Sequence, residues 1–196
     1  MIKSALQSSL TNDIKYRSMS AGAVPSSEYL IQTYEVGATS LPLITFDNLA
    51  QWSGVYKHLQ LVYIGRGTTT QGAPVLRFNA DTNYLNYANH ILQGNGSSVT
   101  SASLQSTFRQ GMQISSIAPS GDPANAFGGG VVDILDPFET TKNTTIRSLG
   151  GTSSIVQFFS GVWLNTAAVS SITLSFFGES GGYATGSRFS LYGVTA

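Results

Sequence analysis

Apolar and polar residues alternate with a period of two along much of the chain. Between 57 and 64, Leu59, Leu61 and Tyr63 fall on one side and His58, Gln60, Val62 and Ile64 on the other. Between 170 and 176, Ile172, Leu174 and Phe176 oppose Ser171, Thr173 and Ser175. Between 187 and 194, Phe189 and Leu191 oppose Arg188, Ser190 and Tyr192. Successive side chains of a pleated strand leave opposite faces, so this period marks strands with one buried side. Runs rich in β-branched and aromatic residues predict further strands near 29–36, 41–47, 74–79, 106–118, 128–136, 144–149 and 154–163. The 88–93 segment fits a short helix or a strand equally well. Gly94-Asn95-Gly96 reads as a tight turn, because Asn and Gly tolerate positive φ. Longer loops are expected at 65–72, 119–123 and 178–186. Eight to ten strands with no long helix between them predict an all-β, antiparallel β-sandwich.

The first 28 residues carry a different pattern. Ile2, Leu6, Leu10 and Ile14 recur every four residues, with Met19 nearby. This spacing allows one or two helical turns, too few to be stable alone in water. A Ser/Ala/Gly stretch with one proline follows at 18–27. The expected organisation is an N-terminal arm over 1–28 that gains order against a partner, then a sandwich domain over 29–196. A frayed terminus or an edge strand of the same domain is the plainer alternative. Residues 1–10 contain one lysine and no continuous apolar run, which is unlike a secretory signal.

Composition narrows the classes of partner. The 196 residues are 41% hydrophobic, enough for a core, but only 10% charged, against ~25% in ordinary domains. So uncharged a surface suits a protein packed against other subunits, or one that binds neutral sugar. Ten basic and ten acidic residues give zero net charge. No basic stripe is visible, so neither nucleic acid nor an anionic membrane is an expected partner. No apolar run reaches the ~18 residues of a membrane helix. The absence of cysteine leaves stability to packing and assembly.

The residues that carry chemistry are sparse, and no catalytic residue or cofactor is expected. His58 and His90 are the two histidines, and neither stands near a nucleophile motif. Asp133, Asp136 and Glu139 form a spaced acidic series. Odd spacing puts Asp133 and Asp136 on opposite faces of a shared strand, which disfavours a joint calcium site. A glycosidase pair would need the carboxylates ~5–9 Å apart across a cleft, which no spacing in the sequence marks. Arg77, Arg147 and Arg188 lie in strand text and suit ion pairs with those three acids or bridges between subunits. Trp163 reads as core. Trp52 and Tyr183 fall in loops, where exposed rings would touch a subunit or a glycan.

Several phrases, in order, resemble a jelly-roll family of virion structural proteins of tailed bacteriophages, including cyanophages. They are Ile44-Thr-Phe46 with Tyr56-Lys-His-Leu-Gln-Leu61; Leu76-Arg-Phe-Asn79 with Asp81 and Asn83-Tyr84; and Val132-Asp-Ile-Leu-Asp136. Lys142 with Thr145-Ile-Arg-Ser-Leu149, Ser160-Gly-Val-Trp-Leu-Asn165, Ser170-Ser-Ile-Thr-Leu174 and Gly186-Ser-Arg-Phe-Ser-Leu-Tyr-Gly193 complete the set. The resemblance covers about 41–196, and its last motif is the most specific. It implies a jelly-roll fold, a particle component without catalytic residues, and self-association, as a homotrimer by family analogy. It also implies docking on the major capsid protein at the virion surface after folding in host cytoplasm. Capsid decoration (cement) proteins, head fibres and tail or baseplate adhesins all use such sandwiches. The short arm favours decoration over a long fibre. A tail or head-fibre protein that binds host surface glycan is the alternative.

Overall fold

The computed structural model describes residues 27–70, 72–104, 110–177 and 181–195. Twelve strands follow one another: β1 (Glu28–Glu35), β2 (Ile44–Phe46), β3 (His58–Gly65), β4 (Pro74–Phe78), β5 (Tyr87–Gly94) and β6 (Val99–Ser103) make the first half. β7 (Met112–Gln113), β8 (Gly128–Leu135), β9 (Thr144–Gly151), β10 (Val156–Trp163), β11 (Ile172–Phe176) and β12 (Arg188–Val194) make the second. They form an eight-stranded sheet, in the order β1-β12-β3-β8-β9-β10-β5-β6, and a four-stranded sheet, β2-β11-β4-β7. All pairings between these strands are antiparallel.

The topology is that of a jelly roll. The partners β1·β12, β2·β11, β3·β8 and β4·β7 nest one inside the next, and successive pairs alternate between the sheets. Two hairpins are added to this eight-strand frame. β9 and β10 come between β8 and β11, β5 and β6 between β4 and β7, and all four widen the larger sheet beyond β8.

The core lies between the sheets. Leu59, Leu61 and Tyr63 of β3, Ile172, Leu174 and Phe176 of β11, and Phe189 and Leu191 of β12 are all buried, as their alternation predicted. Tyr63 stacks on Phe189 with ring centroids 5.8 Å apart. Its hydroxyl donates to the Ser115 carbonyl at 2.6 Å, and burial pushes the phenol well above its usual range.

The strand pattern differs from the sequence expectation in four places. The 88–93 segment is strand, within β5. β6 was not foreseen, since Val99-Thr-Ser-Ala-Ser103 is exposed throughout and has no buried face to alternate against. The strand expected over 41–47 shrinks to Ile44–Phe46. Of the run expected at 106–118, residues 106–109 lie outside the described residues, and among the described ones only Met112–Gln113 forms a sheet strand. Ile114 and Ile117 beyond it are buried without being paired in a strand. The arm and its residues Ile2, Leu6, Leu10, Ile14 and Met19 lie outside the described residues.

Candidate interaction surface

Antiparallel register decides which side chains meet on the outer face of the eight-stranded sheet, the face turned away from the core. Val62 of β3 is opposite Val131 of β8, and Val131 is opposite Leu149 of β9. Leu149 is opposite Phe158 of β10, and Phe158 is opposite Leu92 of β5. The result is a ladder of five apolar side chains across five adjacent strands, each 36–54% exposed. A parallel row holds Ile64, Gly129, Gly151, Val156, Gly94 and Val99. Of the twelve large hydrophobic residues exposed among the described residues, eight belong to these two rows. Scattered exposed apolar residues are ordinary on a folded protein, whereas a continuous apolar patch marks a contact surface.

Hydrophilic groups flank the ladder. On one side runs the row Gln60, Asp133, Arg147, Ser160 and His90. Arg147 Nε donates to Asp133 Oδ2 at 2.8 Å, and Gln60 Nε2 donates to Asp133 Oδ1 at 2.8 Å. The ladder itself ends at β12 and β1 in Ser190 and Thr33, whose hydroxyls lie 2.8 Å apart. At β6 it ends in Ser101. Two hollows of about 300 and 320 Å³ sit on either side of Phe158. The first is lined by Val131, Asp133, Arg147 and Leu149, the second by His90, Leu92, Arg147 and Ser160.

The expected ion-pair framework is realised only in part, and its partners need correcting. Arg147 joins Asp133, but Asp136 and Glu139 are taken by lysines. Lys142 Nζ donates to Asp136 Oδ2 at 2.5 Å, Lys57 pairs with Glu139, and Lys57 also lies 3.7 Å from Asp136 Oδ1. The Lys142 hydrogen bond, outweighing some desolvation, holds the Asp136 carboxyl below the usual carboxylate range. Asp136 sits just past the end of β8 at φ 50°, which turns it away from Asp133 toward the base of the sandwich. Arg77 belongs to the smaller sheet, is buried, and donates from Nε to the Gln110 carbonyl at 2.6 Å. Arg188 is exposed near the far edge of the larger sheet, opposite Glu35 and apart from the three acids.

Of the two aromatic rings expected at the surface, Tyr183 is corrected outright. It is fully buried, with ring centroids 4.7 Å from both Phe176 and Phe189. Single bridges to Leu41 and Gly67 hold its backbone extended and aim the ring inward. Its hydroxyl donates to the Ser175 carbonyl at 3.2 Å. Trp52 ends a short 3-10 turn, Leu49–Trp52, and is half-buried against Tyr29 and Tyr56, with centroids 5.9 and 5.7 Å away. Beside Tyr56 a basal hollow of about 380 Å³ is lined by Val55, Phe138 and the Lys57–Glu139 pair.

Two polar hubs went unrecognised in the sequence. Asp81 Oδ2 accepts from Trp163 Nε1 and from Asn86 Nδ2, both at 2.8 Å, and Oδ1 accepts from the Asn83 backbone at 2.9 Å. Burial raises the Asp81 carboxyl, but these donors together outweigh it and bring it below its usual range. The Arg66 guanidinium donates to four backbone carbonyls, those of Pro123, Ala126, Ser120 and Asp122, at 2.8–3.0 Å. It thereby pins the loop before β8. The available signals were Asp81 beside Asn83 in one quoted motif and a lone Arg between two glycines.

No protein-family model, no curated protein and no solved structure matches the chain.

Proposed function

We propose that the chain is a non-enzymatic structural subunit of a tailed-phage particle, a decoration protein that binds the outside of the coat and stabilises the head. One observation carries the assembly part of this reading: the larger sheet presents an exposed, in-register apolar ladder from Val62 to Leu92. A contiguous exposed apolar patch marks a site where another surface docks. The jelly-roll topology and the low charge support the same reading. The phage setting rests on the ordered motifs between 41 and 196.

In this reading the partners are further copies of the chain and the major capsid protein. A protein that binds only the assembled lattice stabilises it by mass action, by about 2.7 kcal/mol per site at 100-fold excess over Kd. Particles lacking the protein should therefore melt at a lower temperature than complete ones, and adding it back should restore the transition. Immunogold labelling should place it on the head. An unchanged melting profile, or label confined to the tail, would refute the decoration role.

A second reading is favoured by the Tyr29–Trp52–Tyr56 cluster beside the basal hollow: a tail or head-fibre protein that holds host glycan there. Aromatic faces stack on sugar rings, and the Lys57–Glu139 pair offers polar partners. Binding on a glycan array that Trp52→Ala abolishes would support it, and an array without hits would remove it.

A further inference from the structure

We propose that the outer face of the eight-stranded sheet binds a second copy of itself about a two-fold axis, with Phe158 of each copy seated in a hollow of the other. This rests on the reading of that face as an assembly surface, and it names the partner.

Shape is the first argument. A two-fold contact is isologous, so one patch must carry both the projection and the recess that receives it. Phe158 is the one aromatic ring of the ladder, 54% exposed, and an open hollow with room for a ring lies on each side of it. The patch is thus both knob and socket.

Charge is the second. On the outward positions of β3, β8, β9, β10 and β5, Asp133 and Arg147 are the only formal charges, and they are joined to each other. A copy laid on this face meets no net like charge, and the two-fold can set Asp133 of one copy toward Arg147 of the other. A nucleic acid or an anionic headgroup finds no cationic excess there, and a basic partner finds no anionic one.

Area and layout are the third. The five ladder strands, each of eight residues, at ~4.8 Å spacing and ~3.3 Å rise, give about 600 Å², and the flanking β12, β1 and β6, with the facing Glu35 and Arg188 at one edge, bring the face to about 1,000 Å². A stable complex buries about 800 Å² on each partner. The ladder is apolar at its centre and ends in Thr33 and Ser190 on one side and Ser101 on the other, the core-and-rim layout of a specific interface.

The test uses the full chain. Sedimentation at micromolar concentration should give a dimer, and Phe158→Asp should weaken it at least about 30-fold, as loss of an aromatic anchor does. Circular dichroism and an unchanged monomer melting curve check that the variant folds. Because the chain has no cysteine, single substitutions Val131→Cys, Leu149→Cys, Phe158→Cys and Leu92→Cys provide a second reading. The one nearest the axis should form a disulfide between copies on mild oxidation, while Leu85→Cys, exposed elsewhere, should not.

A wild-type monomer at 100-fold higher concentration overturns the proposal, as does an oligomer that Phe158→Asp leaves intact. So does a cysteine set in which Leu85→Cys cross-links as well as the ladder positions. If removal of residues 1–26 turns a monomer into a dimer, the face belongs to that leading segment and the proposal falls. If the protein is monomeric yet Phe158→Asp loses the particle, the face belongs to a different protein, and the assembly function survives while self-association does not.

Discussion

Asp81 is a half-buried carboxylate that gathers three donors on its side chain while its backbone carbonyl accepts the Tyr87 hydroxyl at 2.9 Å. Replacing it by Asn keeps the shape but points an amide N–H either at the Trp163 and Asn86 donors, which share Oδ2, or at the Asn83 backbone N–H on Oδ1. The buried Trp163 N–H is the donor with most to lose. Unsatisfied buried polar groups cost about 1–3 kcal/mol, so Asp81→Asn should lower the melting temperature by several degrees at neutral pH. Acid should act on the same site. The Asp81 and Asp136 carboxyls are both depressed in the folded state. A depressed carboxyl stabilises the fold fully above its unfolded value, about 3.8, and that stability is lost as pH falls through the lower folded value. Thermal unfolding from pH 6 down to pH 2.5 should therefore show a falling transition, less steep in Asp81→Asn. A flat wild-type profile would refute the assignment. At this scale little was legible beforehand. Trp163 reads as core from its apolar neighbours, but its dependence on a carboxylate 82 positions away is a property of the β4–β5 connection lying against β10. Tyr183 misled for the converse reason: glycine-rich surroundings look like loop, while two isolated bridges turn the ring inward.

Among the elements, β12 is held on both edges and on its inner face. It lies between β1 and β3, and its final motif ends in glycine for a steric reason. A Cβ built on Gly193 would stand 2.2 Å from the Tyr56 ring, so the aromatic face packs directly on the strand backbone. Gly186, which leads into the strand, has φ 86°, a region that side chains disfavour. Overpacking of this kind costs about 1–3 kcal/mol. Gly193→Ala should lower denaturant stability by that amount, whereas Tyr192→Ser, on the outward side, should change it much less. β11 and β12 were legible because one face is core and the other mostly polar, and β3 because Leu59, Leu61 and Tyr63 alternate with His58 and Gln60 before its outer face turns apolar at Val62 and Ile64. β5 was ambiguous because Leu92 faces outward while Asn89 is buried inward, which blurs the alternation. In β10 the exposed Val156 and Phe158 flank a buried Gln157. Of the five strands that form the apolar outer face, β5 alone was left open between helix and strand, because Leu92 on that face breaks its alternation.

For the molecule as a whole, the sandwich was foreseeable from repeated period-two text, but its division into sheets of eight and four strands was not. Pairing order depends on contacts between distant residues, and no local pattern records that β9–β10 and β5–β6 extend one sheet rather than the other. Outermost in the nested order is the pair β1·β12, joining Glu28 to Val194. Closing so long a loop is entropically costly before any contact repays it, and all-β folds of this type take milliseconds to seconds. Stopped-flow refolding should fall in that range, and a chain ending at Gly186 should fail to reach the native signal. During translation β1 and β3 thus have no common neighbour until residues 188–194 have been made. A growing chain therefore carries the facing edges of β1 and β3 open through most of its synthesis, and that opportunity for clumping ends only when the seam between them is drawn shut.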